Sequence, residues 1–272
     1  MSRWFPESIV LRIGDSPRAS AAAPPHTPPL RNNAESAVLA GSSTTDPTRI
    51  DAMLSQFEHA LDERAPTRGT RVTCIVAGDA ARYRIVPWSN ELVSNSQRQV
   101  LAEHSFREAY GEAARSWVVQ LHPARYGAAV LACALEMTLL DRLGALVQAR
   151  QLRLVSVQPS LMHAFNETPG RSESGPYWFV CLDALWATAL LMSPGEPLQV
   201  KQLSTTRLDL ALSLDREAFA LGLDGPRPAV HAARFGFGSG ASGSPFTAAA
   251  GWRHVDLHSL AAVPPAFKQR AA

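Results

Sequence analysis

Between Arg71 and Leu203 short apolar runs, bounded by Gly, Pro or polar turn residues, alternate with stretches whose apolar residues recur at helical spacing. That alternation is what most constrains the fold. A short apolar run is the signature of a strand covered on both faces, and a stripe at i, i+3, i+4 and i+7 needs a sheet or a second helix to bury it. The strands read as 8–13, 71–77, 81–87, 117–121, 128–134, 152–157, 177–182, 186–192, 198–203, 229–235 and 252–257. Gly78-Asp79 reads as the turn of a hairpin joining 71–77 to 81–87, the segment 122–127 as the turn of a second, and Ser193-Pro-Gly-Glu196 as a turn inside a three-stranded meander.

The helices follow from period. Ile50, Met53, Leu54, Phe57 and Leu61 share one face after an Asp46-Pro47 start signal. Residues 95–110 carry a ragged face of Val100, Leu101, His104 and Tyr110, stopped by Gly111, and 137–150 carries the clearest stripe, Leu139, Leu140, Leu143, Leu146 and Val147. Short helices at 160–166 and 208–221 complete an α/β protein with mixed sheets. By contrast 16–47 is Ala, Pro, Ser and Thr with few large apolar side chains, and 236–251 is Gly, Ser and Ala. Neither stretch can bury enough surface to offset ordering, so both read as disordered. The resulting division is 1–46, a strand plus insertion; 47–170, a first subdomain; 171–258, a second and shorter one with the Gly/Ser-rich loop; and a loose tail at 259–272.

Charge and cysteine content narrow the function classes. Twenty-six basic against 24 acidic residues leave a net charge of +2, and no basic stripe is interleaved with aromatics, so a nucleic-acid partner is not expected. Cys74, Cys133 and Cys181 sit singly inside apolar runs, which reads as buried reduced thiols. The longest apolar stretches, 128–137 and 185–192, fall short of the ~20 residues of a membrane span, and the first residues lack the apolar core of a leader. The expectation is a soluble cytoplasmic chain without direct membrane insertion.

Few residue groups suggest chemistry. His254, Asp256 and His258 alternate on one strand face and could grip a metal, but polar alternation on a half-exposed strand accounts for them equally, and no metal is expected. The loop holding Gly238 and Gly240 has the composition of a phosphate loop without the Lys of a Walker motif. His163 lacks an acidic partner in sequence, and no Gly-x-Ser-x-Gly elbow occurs. No catalytic residue is assigned.

One stretch carries a family signature. Residues 71–89, Arg-Val-Thr-Cys-Ile-Val-Ala-Gly-Asp-Ala-Ala-Arg-Tyr-Arg-Ile-Val-Pro-Trp-Ser, resemble the strand, turn, strand and Leu-Pro-Trp that open the actin-like cytoplasmic part of type II secretion platform proteins, the GspL family. Over 49–203 the order of elements is similar to that of the pilus-assembly relative PilM. The resemblance implies an actin-like fold, with two halves built on ribonuclease-H-like sheets with flanking helices and the second half shortened. It also implies a non-enzymatic cytoplasmic scaffold that docks the cytoplasmic segment of a bitopic inner-membrane protein. Family members that bind ATP carry an Asp-x-Gly loop on the first strand. Here that place reads Leu-Arg-Ile-Gly-Asp-Ser, with Asp15 after the glycine, and the second loop, around Asp183, has no glycine at all. The alternative is an active actin-like ATPase or small-molecule kinase that would use Asp15 and Asp183 near Mg²⁺ and Gly238 and Gly240 near adenosine. The partner surface is placed on Arg82, Tyr83, Trp88, Arg98 and Tyr110, the alternative being an ordinary surface helix. Homo-oligomerisation stays open.

Overall fold

The structure is a computed structural model, and the residues described are 8–14, 47–91, 94–168, 174–183, 186–204, 210–223, 228–234 and 254–257. The expected disordered stretches, the Asp46 start signal, Asp15, Gly238, Gly240 and His258 lie outside them, as do the side chains of His254 and Asp256.

Three sheets form. In the first, β1 (Ser8–Ile13), β2 (Arg71–Val76) and β6 (Arg153–Pro159) lie parallel in that order. Helices α1 (Pro47–Arg64) and α3 (Met137–Ala149) pack on it. Ile50, Met53, Leu54, Phe57 and Leu61 of α1 and Leu139, Leu143 and Val147 of α3 are buried against Leu11, Ile13, Val72 and Cys74. Arg142–Asp51 at 2.6 Å and Arg150 with Glu58 and Asp62 tie the two helices at the surface, pairs that contribute about 0–1 kcal/mol each.

The second sheet is small and antiparallel, ordered β3 (Arg82–Val86), β5 (Val130–Glu136), β4 (Trp117–Leu121). Its covering helix α2 (Asn95–Tyr110) opens with a capping box, the Ser94 hydroxyl accepting from Gln97 N–H while Gln97 Oε1 accepts from Ser94 N–H. It ends at Gly111, whose φ of +63° suits glycine. The buried face of α2 is Ala102 and Phe106, set against Val86, Trp117, Val119 and Ala132. This corrects the face expected from periodicity, because Val100 is 60% exposed and His104 is exposed. The outer edge of β4 is met by α2: Gln99 Nε2 donates to Val119 C=O at 2.9 Å, and Trp117 N–H donates to Ala114 C=O.

The third sheet has five strands in the order β11 (His254–Leu257), β10 (Ala229–Arg234), β7 (Tyr177–Leu182), β8 (Trp186–Ser193), β9 (Glu196–Ser204). β7, β8 and β9 form the expected antiparallel meander, while β10 and β11 are parallel to β7. All six residues of β7, Tyr-Trp-Phe-Val-Cys-Leu, are buried. Alternation sends Trp178, Val180 and Leu182 under α5 (Leu210–Ala220) with Leu210 and Leu214, and sends Tyr177, Phe179 and Cys181 into the core that α4 (Ser160–Glu167) and the first sheet share.

The expected 71–77/81–87 hairpin does not form. β2 pairs with β1 and β6, and β3 pairs with β5. A 3₁₀ turn at Gly78–Ala80 carries the chain from one sheet to the next. Two adjacent strands joined by a short turn look like a hairpin locally, but here burial of both faces of β2 between parallel neighbours wins.

Candidate functional site

The 3₁₀ turn lies on the seam between the two halves. Gly78 N–H donates to Asp183 Oδ2 at 2.6 Å, and the Ser160 hydroxyl donates to the same oxygen at 3.3 Å. From the other side Gln202 Nε2 donates to the carbonyls of Gly78 at 2.5 Å and Ala81 at 3.0 Å. A Cβ on residue 78 would stand 2.6 Å from Asp183 Oδ2 and 2.7 Å from Thr188 Oγ1, so only glycine lets the turn approach this closely. Asp183 is 7% exposed, and a carboxylate this buried needs those donors. The fragment before Asp15 is closed in a similar way. Gly14 N–H donates to Gln56 Oε1 at 2.9 Å, and a Cβ there would meet Ala77 Cβ at 3.0 Å and Met53 at 3.4 Å. These backbone and carboxylate groups are thus engaged by the protein itself. Among the described residues no group of three His, Cys, Asp or Glu is placed to hold a metal.

Behind the seam sits a charged group. Arg49 meets Asp79 at 2.8 Å, and Arg82 Nη1 donates to the Asp79 and Ala81 carbonyls at 2.7 and 3.1 Å. Burial pushes the Asp79 carboxyl up against the opposing pull of Arg49 and Arg82, and it pushes Glu136 up likewise. Cys74 is pushed up to about 12 by burial, and the Cys133 thiol is also raised, so neither is a thiolate at neutral pH.

The five residues expected to form a partner surface separate into four places. Trp88 and Arg98 come together, the guanidinium 4.0 Å from the indole centroid, a contact of about 0.5–1 kcal/mol at a surface site. Arg82 belongs to the seam. Tyr110 turns toward the second sheet, 5.0 Å from Trp117 and 6.2 Å from Phe106. Tyr83 is a correction: it is 6% exposed and part of the main core, because the alternation of β3 that leaves Arg82 and Arg84 half-exposed points Tyr83 inward. Burial drives its phenol pKa well up. The residue missed is Tyr126, 84% exposed, with its ring edge-on to Trp88 at 4.6 Å. The available signal was a lone aromatic in the hairpin turn 122–127.

A cleft of about 450 Å³ opens between that same turn, α4 and the β8–β9 turn, lined among others by Leu131, Met162, Phe165, Leu190 and Met192, with His122, Arg125 and Thr168. Its two walls are tied together. Arg125 Nη2 donates to Pro194 C=O at 2.9 Å, lying where a Cβ on Gly195 would be, and Glu196 Oε1 accepts from Ala129 N–H at 2.9 Å.

The class follows from the topology. A meander of three antiparallel strands with two further strands parallel to the first is the ribonuclease-H-like sheet, and β1, β2 and β6 repeat its parallel triplet in the other half. The five-stranded sheet and the parallel triplet meeting at a seam make an α/β protein of actin-like architecture. Among solved structures the chain is similar to the cytoplasmic domain of EpsL, an inner-membrane component of the type II secretion system of Vibrio cholerae (11% identity, 75% of each chain covered, TM-score 0.49). It is also similar to the PilM–PilN type IV pilus biogenesis complex (13% identity, 72% of this chain and 69% of that one, TM-score 0.47). A Bacteroides thetaiotaomicron protein with an actin-like ATPase fold and unknown function is similar at 14% identity, 69% of each chain and TM-score 0.44. No family model matches the chain, and no curated protein matches its sequence.

Proposed function

We propose that the chain is a non-catalytic docking protein of a pilus-assembly or type II secretion-like machine, holding the cytoplasmic segment of a membrane-anchored partner. The observation that carries this reading is the closed seam: Asp183 and the Gly14 amide, the described groups an actin-like ATPase would turn on its nucleotide, are bonded to Gly78, Ser160 and Gln56. The machine comes from the resemblance of 71–89 and of the element order to the GspL and PilM families. No helix among the described residues is long and apolar enough to cross a membrane, so a place at the inner membrane would come through the partner. Trp88, with the Arg98 guanidinium over its ring and Tyr126 edge-on to it, supplies aromatic and guanidinium anchors of the kind that dominate interfaces.

Two measurements test the reading. Titration calorimetry with Mg-ATP should give no binding at micromolar concentrations; an affinity there, worth about 8 kcal/mol, means the seam opens to nucleotide and returns the ATPase to first place. Co-expression with a bitopic inner-membrane protein of such a machine from the same organism should give affinity capture. Arg98→Glu with Tyr126→Ala should weaken that capture while leaving the melting temperature nearly unchanged. Undiminished capture by the double variant moves the docking face elsewhere.

A further inference from the structure

We propose that the cleft between the 122–127 turn, α4 and the β8–β9 turn is a binding site for a small apolar carboxylate, with Arg125 as its anion partner. Its volume of about 450 Å³ falls inside the ~300–1,000 Å³ range of small-molecule sites. The deep side chains are apolar: Leu131 and Leu190 are 3% and 1% exposed, and Met162, Phe165 and Met192 complete that surface. Two thioethers make the lining adaptable in shape. Phe165 is held edge-on by Phe179 at 5.3 Å and by His122 at 6.1 Å, so the aromatic wall is positioned in advance.

The polar groups are cationic or neutral. Arg125 is exposed at the surface end and uses Nη2 on Pro194 C=O. A guanidinium has five N–H donors, so it can accept a carboxylate while keeping that bond. The neighbouring carboxylate, Glu196, is directed to Ala129 N–H and does not line the cleft. An apolar floor with a lone guanidinium at the open end selects an apolar body with one negative charge. A neutral chain would lack the charge-assisted bond, and a cation would face Arg125.

The cleft shares the 122–127 turn with Tyr126 of the docking surface, but its test needs no membrane partner, so failed capture of one leaves it standing. The test uses the whole chain with ¹³C-methyl methionine, because Met162 and Met192 line the cleft while Met53 is buried under β1 and Met137 lies at the start of α3. Octanoate should shift the Met162 and Met192 methyl signals saturably and leave Met53 and Met137 in place. Octan-1-ol should bind several-fold more weakly. Arg125→Gln should weaken octanoate at least about fivefold without altering octan-1-ol. Four outcomes overturn the proposal: equal binding of octanoate and octan-1-ol, octanoate affinity unchanged in Arg125→Gln, uniform shifts of all methionines, or shifts with a blocked Leu-Asp-Leu peptide but none with octanoate.

Discussion

The parallel triplets β1-β2-β6 and β7-β10-β11 are the same device built twice, yet they carry different sequences. In the second half β7 has β8 on one side and β10 on the other, and its six residues are apolar or thiol and fully buried. In the first half β1 pairs with β2 alone among the described residues and reads Ser-Ile-Val-Leu-Arg-Ile, half-exposed along much of its length. The register rows sharpen the contrast. Val10, Thr73 and Ser156 form one row and Arg12, Ile75 and Gln158 the next, so one face of the first sheet is partly polar. Arg12 there has its pKa lowered by burial and by nearby Arg64. The comparison teaches that apolar content follows the number of covering neighbours: β7, flanked and covered on all sides, is apolar throughout, and the less covered β1 tolerates an arginine.

The difference makes ordered predictions. Trp178→Ala, which empties the face of β7 under α5, should cost about 3–5 kcal/mol in urea unfolding. Leu143→Ala, on the helix covering the first sheet, should follow at about 2–5 kcal/mol and below the Trp178 loss. A larger loss at Leu143 would reverse the ranking of the two halves. Gly78→Ala drives a methyl into Asp183 and Thr188 and should cost about 1–3 kcal/mol as an overpacked contact. An unchanged midpoint would mean that the seam already opens in solution.

The smallest effect is a pH dependence. Burial lowers the His163 pKa, with Arg12 adding to that and Glu167 opposing it. Its folded pKa therefore lies below its unfolded one, so the unfolded chain binds the proton more readily. Stability should be intact above the ordinary histidine range and should fall as the pH drops through it toward the lower folded value. His163→Gln should flatten that part of the profile; an identical slope in the variant would assign it to other groups.

Much of this fold is legible in the residues. The stripe of α3, the stop at Gly111 and the uninterrupted run 177–182 each state a local preference that the tertiary structure keeps. Partner choice between strands is not local, and for that reason β2 and β3 looked like a hairpin. Phe106 was missed on α2 because one aromatic with small Ala102 makes a weak stripe, although it anchors the helix. The candidate site was less legible still. Asp183 and Gly78 are 105 positions apart, and nothing in either segment announces that a carboxylate on one will bond the amide of the other. Tyr83 and Arg82 are neighbours of similar bulk, and only the phase of β3 decides which of them is core.

Gln99 has a consequence for how copies of this chain meet. A bare strand margin is a template on which another chain can lay its backbone, and repetition of that step produces fibres. On β4 the carbonyl of Val119 is held by a side-chain amide and the amide of Trp117 by its own preceding turn. An incoming strand would have to displace Gln99 to gain its second rung. Crowding many copies together therefore need not fuse them through this margin.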